Sequence, residues 1–110
     1  MTKPLAVVVG DDGQLRSMMR SLDGPACDVA CLTPDEADRR LPDLLRGRTR
    51  VLAVHLVLRP SRAFLDSLFA QEPARRLWGA LVYCNMTPNQ AAMLVRGFVD
   101  AAHQARRMGS

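Results

Sequence analysis

Two carboxylates, one imidazole and one thiol are the side chains of this 110-residue chain best suited to chemistry. Asp11 and Asp12 directly follow a short apolar run, His55 interrupts a second run, and Cys84 ends a third. Paired carboxylates can hold a divalent cation, and an Asp–His or Cys–His pair can do acid–base or nucleophilic work when the two groups lie within hydrogen-bond reach. These four residues are therefore the candidate site, provided that the fold brings them together.

Each of these residues also has a purely structural interpretation. Asp11-Asp12-Gly13 fits a turn followed by a helix cap, because aspartate favours both positions. His55 fits a hydrogen-bonded histidine at the end of a strand, and Cys84 fits a packed thiol. The sequence does not measure the distances between these groups, so both interpretations stay open at this point.

The composition is typical of one soluble globular domain. Hydrophobic residues make up 48% of the chain and charged residues 24%, and this length suffices for one core, so we expect a single domain over residues 1–110. No apolar run approaches the ~20 residues that cross a bilayer, and the amino terminus lacks the apolar segment of a signal peptide. We therefore expect a cytoplasmic protein without membrane contact.

The cysteines and the charge argue against disulfide-rich, zinc-binding and nucleic-acid-binding proteins. Three cysteines without a C-x-x-C pair argue against a disulfide framework and against a zinc knuckle. The net charge of +4 comes almost entirely from arginines scattered along the chain, while aromatic residues make up only 5%. A nucleic-acid partner is therefore only weakly supported, because such a surface usually gathers its basic residues on one face.

Four apolar runs predict β-strands, at residues 5–9, 27–32, 51–58 and 81–84. Each is followed by apolar residues at helical spacing, and capping boxes beginning at Thr33 and Thr87 mark two helix starts. Pro42 is expected to kink or shorten the helix that begins at Thr33. The last helix is predicted to present Leu94, Val95, Phe98 and Ala102 on its apolar face. Residues 98–104 read as its continuation, although a fifth strand there stays open as the alternative.

Strands that alternate with helices predict an α/β fold with a mostly parallel, doubly wound sheet, because the crossovers must be right-handed. In such sheets, ligands bind beyond the carboxyl ends of the strands. Asp11, Asp12, His55 and Cys84 all lie at predicted carboxyl ends. Their convergence, rather than any single residue, carries the functional interpretation.

The segment Val7 to Arg16, VVVGDDGQLR, resembles the opening of a response-regulator receiver domain, in which the first strand ends in an acidic pair. The resemblance covers roughly residues 4–100. It places His55 at the position of the family's phosphoacceptor aspartate, with Leu56 as the candidate if the register moves by one, and Cys84 at the position of a threonine or serine hydroxyl. It implies a flavodoxin-like, receiver-like sheet with four strands and a long C-terminal helix. The fifth strand is missing or degenerate, since residues 98–104 read as helix and Gln104 stands near the position of the family's lysine.

The resemblance also implies that the phosphorylation chemistry is lost. The family's reaction needs an aspartate nucleophile and a divalent metal that this aspartate and the acidic pair hold together. His55 replaces the nucleophile by an imidazole, although Mg²⁺ prefers hard oxygen ligands, and Cys84 is a poorer hydrogen-bond donor than a hydroxyl. Asp11, Asp12, His55 and Cys84 would thus form a degenerate acidic pocket with no catalytic role, no bound metal and no cofactor.

We therefore expect a pseudo-receiver: a regulatory protein of two-component signal transduction that is not an enzyme and acts through protein–protein contacts. Without a fifth strand, strand four would be an exposed edge, so we expect a homodimer or a partner complex to which the last helix contributes Leu94, Val95 and Phe98. Two alternatives stay open. One is a small enzyme or ligand-binding domain that uses the same four-residue pocket, and the other is a DNA-linked transcriptional regulator.

Overall fold

The computed structural model describes residues 3–48, 50–56, 61–69 and 87–109. In chain order the elements are β1 (Leu5–Val9), α1 (Gly13–Leu22), β2 (Asp28–Leu32), α2 (Pro34–Leu45), β3 (Val51–His55), α3 (Arg62–Phe69) and α4 (Pro88–Gly109). The predicted α/β class and the long last helix are confirmed. The predicted fourth strand at 81–84, together with Cys84, lies outside the described residues.

The three described strands form one parallel sheet in the order β2-β1-β3. Val9 is in register with Leu32 on one side and with His55 on the other, so the carboxyl ends of the three strands line up. The strand β3 ends at His55, although the apolar run continues, and the N–H of Leu56 makes one further ladder bond of 2.9 Å to the carbonyl of Val9. This alignment gathers the candidate residues of β1 and β3 at one edge of the sheet.

Helices cover both faces of this sheet, which explains why its strands are almost continuously apolar. The alternate residues Leu5, Val7 and Val9 pack in a core with α2 and α3. Ala6 and Val8 pack on the opposite face in a core with α1 and α4. All five side chains are completely buried. The sheet is therefore the middle of three layers.

The helix α2 begins where the sequence predicts and continues past its proline. Thr33 and Glu36 form the reciprocal capping box, with the Thr33 hydroxyl accepting from the Glu36 N–H at 3.2 Å and the Glu36 carboxylate accepting from the Thr33 N–H at 3.2 Å. Pro42 lies inside the helix, which ends three residues later at Leu45. Gly47 follows with a φ of 77°, a left-handed conformation that favours glycine.

The helix α4 includes residues 98–104, as the sequence predicts. Val95 and Phe98, expected from the sequence to contact a partner, are 0% and 6% exposed and belong to the core against α1 and the sheet. Leu94 is half-buried at the margin of the same core. The apolar stripe of α4 is thus used mainly inside the chain, because the helix needs it to cover one face of the sheet.

Candidate functional site: the carboxyl edge of the sheet

Asp12 serves as the amino-terminal cap of α1. Its carboxylate accepts a hydrogen bond of 2.9 Å from the backbone N–H of Gln14, and its backbone has the extended conformation of a capping residue. Such a bond satisfies one of the helix donors that has no partner within the helix. The structural interpretation therefore holds for Asp12, which leaves Asp11 as the neighbouring exposed carboxylate that makes no helix cap.

Gly10 sets how closely the carboxyl end of β1 approaches the surrounding core. A Cβ atom at this buried position would come within 2.9 Å of Leu15 Cδ2 and 3.5 Å of Leu56 Cδ1. The first distance is shorter than real Cβ contacts, so a side chain here would force the end of the Leu15 side chain to shift. Glycine thus leaves room for Leu15 of α1 against the end of β1.

His55 lies at the same edge of the sheet but faces the interior. It is 2% exposed, and its ring meets the ring of Phe64 edge to face, with centroids 4.8 Å apart and planes at 67°. In the described parts of the chain, no buried side-chain nitrogen or oxygen lacks a hydrogen-bond partner. His55 is therefore a packed, satisfied core residue on the face covered by α3, which matches its structural interpretation.

The edge does not assemble a metal centre from the described residues. Within these segments, no group of three or more histidine, cysteine, aspartate or glutamate side chains is placed to hold a metal ion. Asp11 and Asp12 are exposed, whereas His55 is buried. The fold thus brings the two carboxylates and the imidazole to one end of the sheet without joining them in one ligand set, and the predicted contribution of Cys84 lies outside the described residues.

The other two cysteines are poor nucleophiles. Burial, followed by the negative charges of Asp28 and Asp23, raises the pKa of the Cys27 thiol to about 11. Burial also raises the pKa of Cys31, although Arg16 acts in the opposite direction. Since the thiolate is the reactive form, neither thiol is prepared for covalent chemistry at neutral pH.

A cavity between α1 and α4 was not anticipated from the sequence. It has a volume of about 330 Å³ and is lined by Met18, Ser21, Leu22, Asn89, Ala92, Met93 and Arg96. We call it the α1–α4 groove. Periodicity marks only the buried stripes of the two helices, so it gives no sign of which remaining residues meet when the helices pack side by side. The single available signal was Met93, a large apolar residue outside the apolar stripe of α4.

The outer edge of β2 is protected by two acidic side chains. This strand pairs only with β1 in the described sheet, so alternate backbone groups point away from it. The Asp23 carboxylate accepts from the outward N–H of Val29 at 2.9 Å, and Glu36 accepts from that of Thr33. Cys31 lies between these two capped positions, so little of this edge is left for another strand.

The amino-terminal end of the sheet is closed by a cluster around Arg48. Its guanidinium contacts the Asp28 carboxylate at 2.8 Å, the Lys3 carbonyl at 2.8 Å and the Leu44 carbonyl at 3.2 Å. Lys3 binds the same carboxylate at 2.9 Å. Burial alone would raise the pKa of Asp28, but the bonds and charges of Lys3 and Arg48 outweigh it and hold this pKa below its ordinary value.

Comparisons with known proteins add no relative: no protein family matches this chain, and neither a curated protein nor a solved structure is significantly similar to it. Among the described helices, none is long and apolar enough to cross a membrane.

Proposed function

We propose that this chain is a receiver-like regulatory domain that acts through protein–protein contacts and is not phosphorylated. The sheet order β2-β1-β3, with parallel strands and helices on both faces, is compatible with a flavodoxin-like fold. In such a fold, a strand at 81–84 would lie beside β3. A role in signal transduction and a cytoplasmic location belong to the same proposal.

The observation that carries this proposal is the burial of His55. A phosphoacceptor must be reached by its donor, yet the side chain at this position is 2% exposed and packs against Phe64. Phosphorylation of the imidazole would require it to leave the core. Leu56, the candidate if the register moves by one, has no nucleophile.

The surroundings of the acidic pair support the same proposal. Asp12 is engaged in capping α1, which is a sufficient structural reason for its presence. Gln104, near the sequence position of the family's lysine, follows Ala101 and Ala102, which line a cavity with Pro4 and Arg50 at the amino-terminal end of the sheet, so it supplies no charge at the acidic pair. The described edge thus offers two exposed carboxylates, but neither an accessible nucleophile at the position of His55 nor a described lysine beside the acidic pair.

Incubation with acetyl phosphate and Mg²⁺ tests the absence of phosphorylation. We expect intact-protein mass spectrometry to show no added phosphoryl group and the ¹H–¹⁵N spectrum to stay unchanged. A phosphorylatable receiver treated in parallel shows that the reagent is active. An adduct that disappears in Asp11→Asn or in His55→Asn, but persists in Asp23→Asn as a control for surface carboxylates, would overturn the proposal.

The homodimer stays a prediction, and the buried side chains of α4 restrict how it can form. Val95 and Phe98 are inside the monomer core, so a dimer through α4 would use the exposed residues of this helix. Light scattering over a range of concentrations measures the assembly directly. We expect twice the monomer mass, and a monomer at every concentration would rule out the homodimer.

A further inference from the structure

The α1–α4 groove combines an apolar floor with a polar rim. Met18, Leu22 and Ala92 are half-buried at the margin of the core between these helices. Ser21, Asn89 and Arg96 are exposed around them and line the same cavity. A concave strip of this kind between two packed helices is suited to a third helix that lays its own apolar side into it.

Met93 lines this groove, and its side chain is exposed to solvent. It is 75% exposed and is the one exposed large hydrophobic side chain among the described residues. Scattered surface apolar residues are common, but this one adjoins Met18 and Leu22 around a single cavity. Methionine is flexible and polarisable and recurs on surfaces that bind helical segments.

The two layers of helices differ in charge. The layer that contains the groove, α1 and α4, carries five arginines and one aspartate, namely Arg16, Arg20, Arg96, Arg106, Arg107 and Asp100. The opposite layer, α2 and α3, carries five carboxylates and three arginines, namely Asp35, Glu36, Asp38, Asp43, Asp66, Arg39, Arg40 and Arg62. The groove therefore lies in the basic layer, and Arg96 at its rim makes no ion pair with any described residue.

We propose that the α1–α4 groove binds an acidic amphipathic helix of a partner protein, a proposal that rests on the protein-contact function above. The apolar side of that helix would cover Met93 and the groove floor, while its carboxylates would face Arg96, the charged residue at the rim.

A second copy of this chain fits the groove less well. A two-fold dimer places the same surface on both partners, so pairing through this groove would bring two arginine-rich layers together. Nucleic acid is also disfavoured, because the aromatic rings described in full, those of Phe64 and Phe98, are buried and cannot stack on bases.

A synthetic helix tests the proposal. The ¹⁵N-labelled chain is titrated with a peptide of ~18 residues, about five helical turns, that carries leucine and methionine on one side and glutamate on the other. We expect saturable shifts confined to the groove residues. A scrambled peptide of the same composition, and a peptide with lysine in place of glutamate, should each bind at least about tenfold more weakly.

Arg96→Glu and Arg39→Glu change the net charge equally and together locate the binding surface, and Met93→Gln tests its apolar part. Arg96→Glu is expected to weaken the peptide at least about tenfold, and Met93→Gln about threefold or more. Arg39→Glu, on the exposed side of α2, should stay within about twofold of the parent chain, since screening weakens distant charges.

Four outcomes would overturn the proposal. They are the absence of saturable shifts up to about 1 mM peptide, equal binding of the scrambled peptide, equal weakening by Arg39→Glu, and a duplex oligonucleotide that binds the groove more tightly than the peptide. Shifts of the groove residues on dilution without peptide would instead assign the groove to a second copy. None of these results depends on the acetyl phosphate experiment, so the failure of this proposal is distinguishable from that of the proposed function.

Discussion

His55 is the last residue of β3, and its imidazole is buried in the hydrophobic core. It is the one buried polar side chain in the described parts of the chain, and it packs against Phe64 on the face covered by α3. A carboxylate at this position would lose its hydration on burial, which costs free energy whether the group stays charged or becomes protonated. The core around the end of β3 is thus fitted to an aromatic ring rather than to a carboxyl group.

The substitution His55→Asp tests this fit. We expect it to lower the free energy of unfolding by about 2–4 kcal/mol, because it removes the ring contact and buries a carboxyl group away from water. The same change at the exposed His103 of α4 is the matched control and should cost less than about 1 kcal/mol. Urea unfolding monitored by circular dichroism measures both, and equal losses at the two positions would contradict the assignment of His55 to the core.

Arg48 bonds to two backbone carbonyls as well as to a carboxylate. Its side chain is 17% exposed, whereas Arg46, which pairs with Asp43, is 79% exposed. We expect Arg48→Ala to cost about 1–3 kcal/mol, since several charge-assisted bonds are lost. Arg46→Ala should cost less than about 0.5 kcal/mol. Thermal and urea unfolding of the two variants would contradict this if they were equally stable.

The strand β2 lies at an edge of the described sheet, but side chains occupy its outward backbone groups and hinder pairing with a further strand. Asp23, the residue that follows α1, reaches the outward N–H of Val29, and Glu36 of α2 does the same for Thr33. Both ends of the edge are therefore occupied by side chains from neighbouring helix termini. Inward or capping charges of this kind are a common protection against edge-to-edge aggregation.

Comparing Asp23→Ala with Asp23→Asn measures how much the hydrogen bond from the Val29 N–H to residue 23 protects this edge. Alanine removes the acceptor and should destabilise the fold by about 1 kcal/mol, whereas asparagine keeps an acceptor oxygen and most of the stability. Hydrogen exchange of the Val29 amide should accelerate about fivefold or more in the alanine variant alone. Unchanged exchange in Asp23→Ala would show that this bond does not protect the edge.

For the molecule as a whole, the two ends of the sheet have different roles. The carboxyl end carries exposed carboxylates beside a buried imidazole, and the amino end is closed by Lys3, Asp28 and Arg48, which connect the starts of β1 and β2 with the end of α2. The cluster makes global stability depend on the charge of one carboxyl. Its pKa is lowered in the folded chain, so folding favours the ionised form.

The sign of the resulting pH dependence follows from linkage. Because the folded pKa of Asp28 lies below its unfolded value of about 3.9, its contribution is fully present above that value and is lost as the pH falls through the folded pKa. We expect the stability of the parent chain to fall more steeply between about pH 5 and pH 2 than that of Asp28→Asn. Urea unfolding at a series of pH values measures the two slopes, and identical slopes would contradict the role of this cluster.

Local patterns in the sequence determined the elements of this protein. Apolar runs, helical spacing and the capping box at Thr33 fixed the described strands and helices to within a few residues, because these signals act over one or two turns of chain. They also determined that the sheet is parallel, since strands alternate with helices. The apolar run of β3 was too long by at least one residue, because periodicity cannot show where the ladder ends.

Only the tertiary structure decided what the candidate residues do. Asp12 caps α1, His55 enters the core, and Val95 and Phe98 are buried in the core that covers one face of the sheet. The α1–α4 groove likewise depends on how two helices distant in the chain pack together. The physical reason is that spacing along a chain fixes which side of its own element a residue occupies, while burial and contact depend on which other element covers that side.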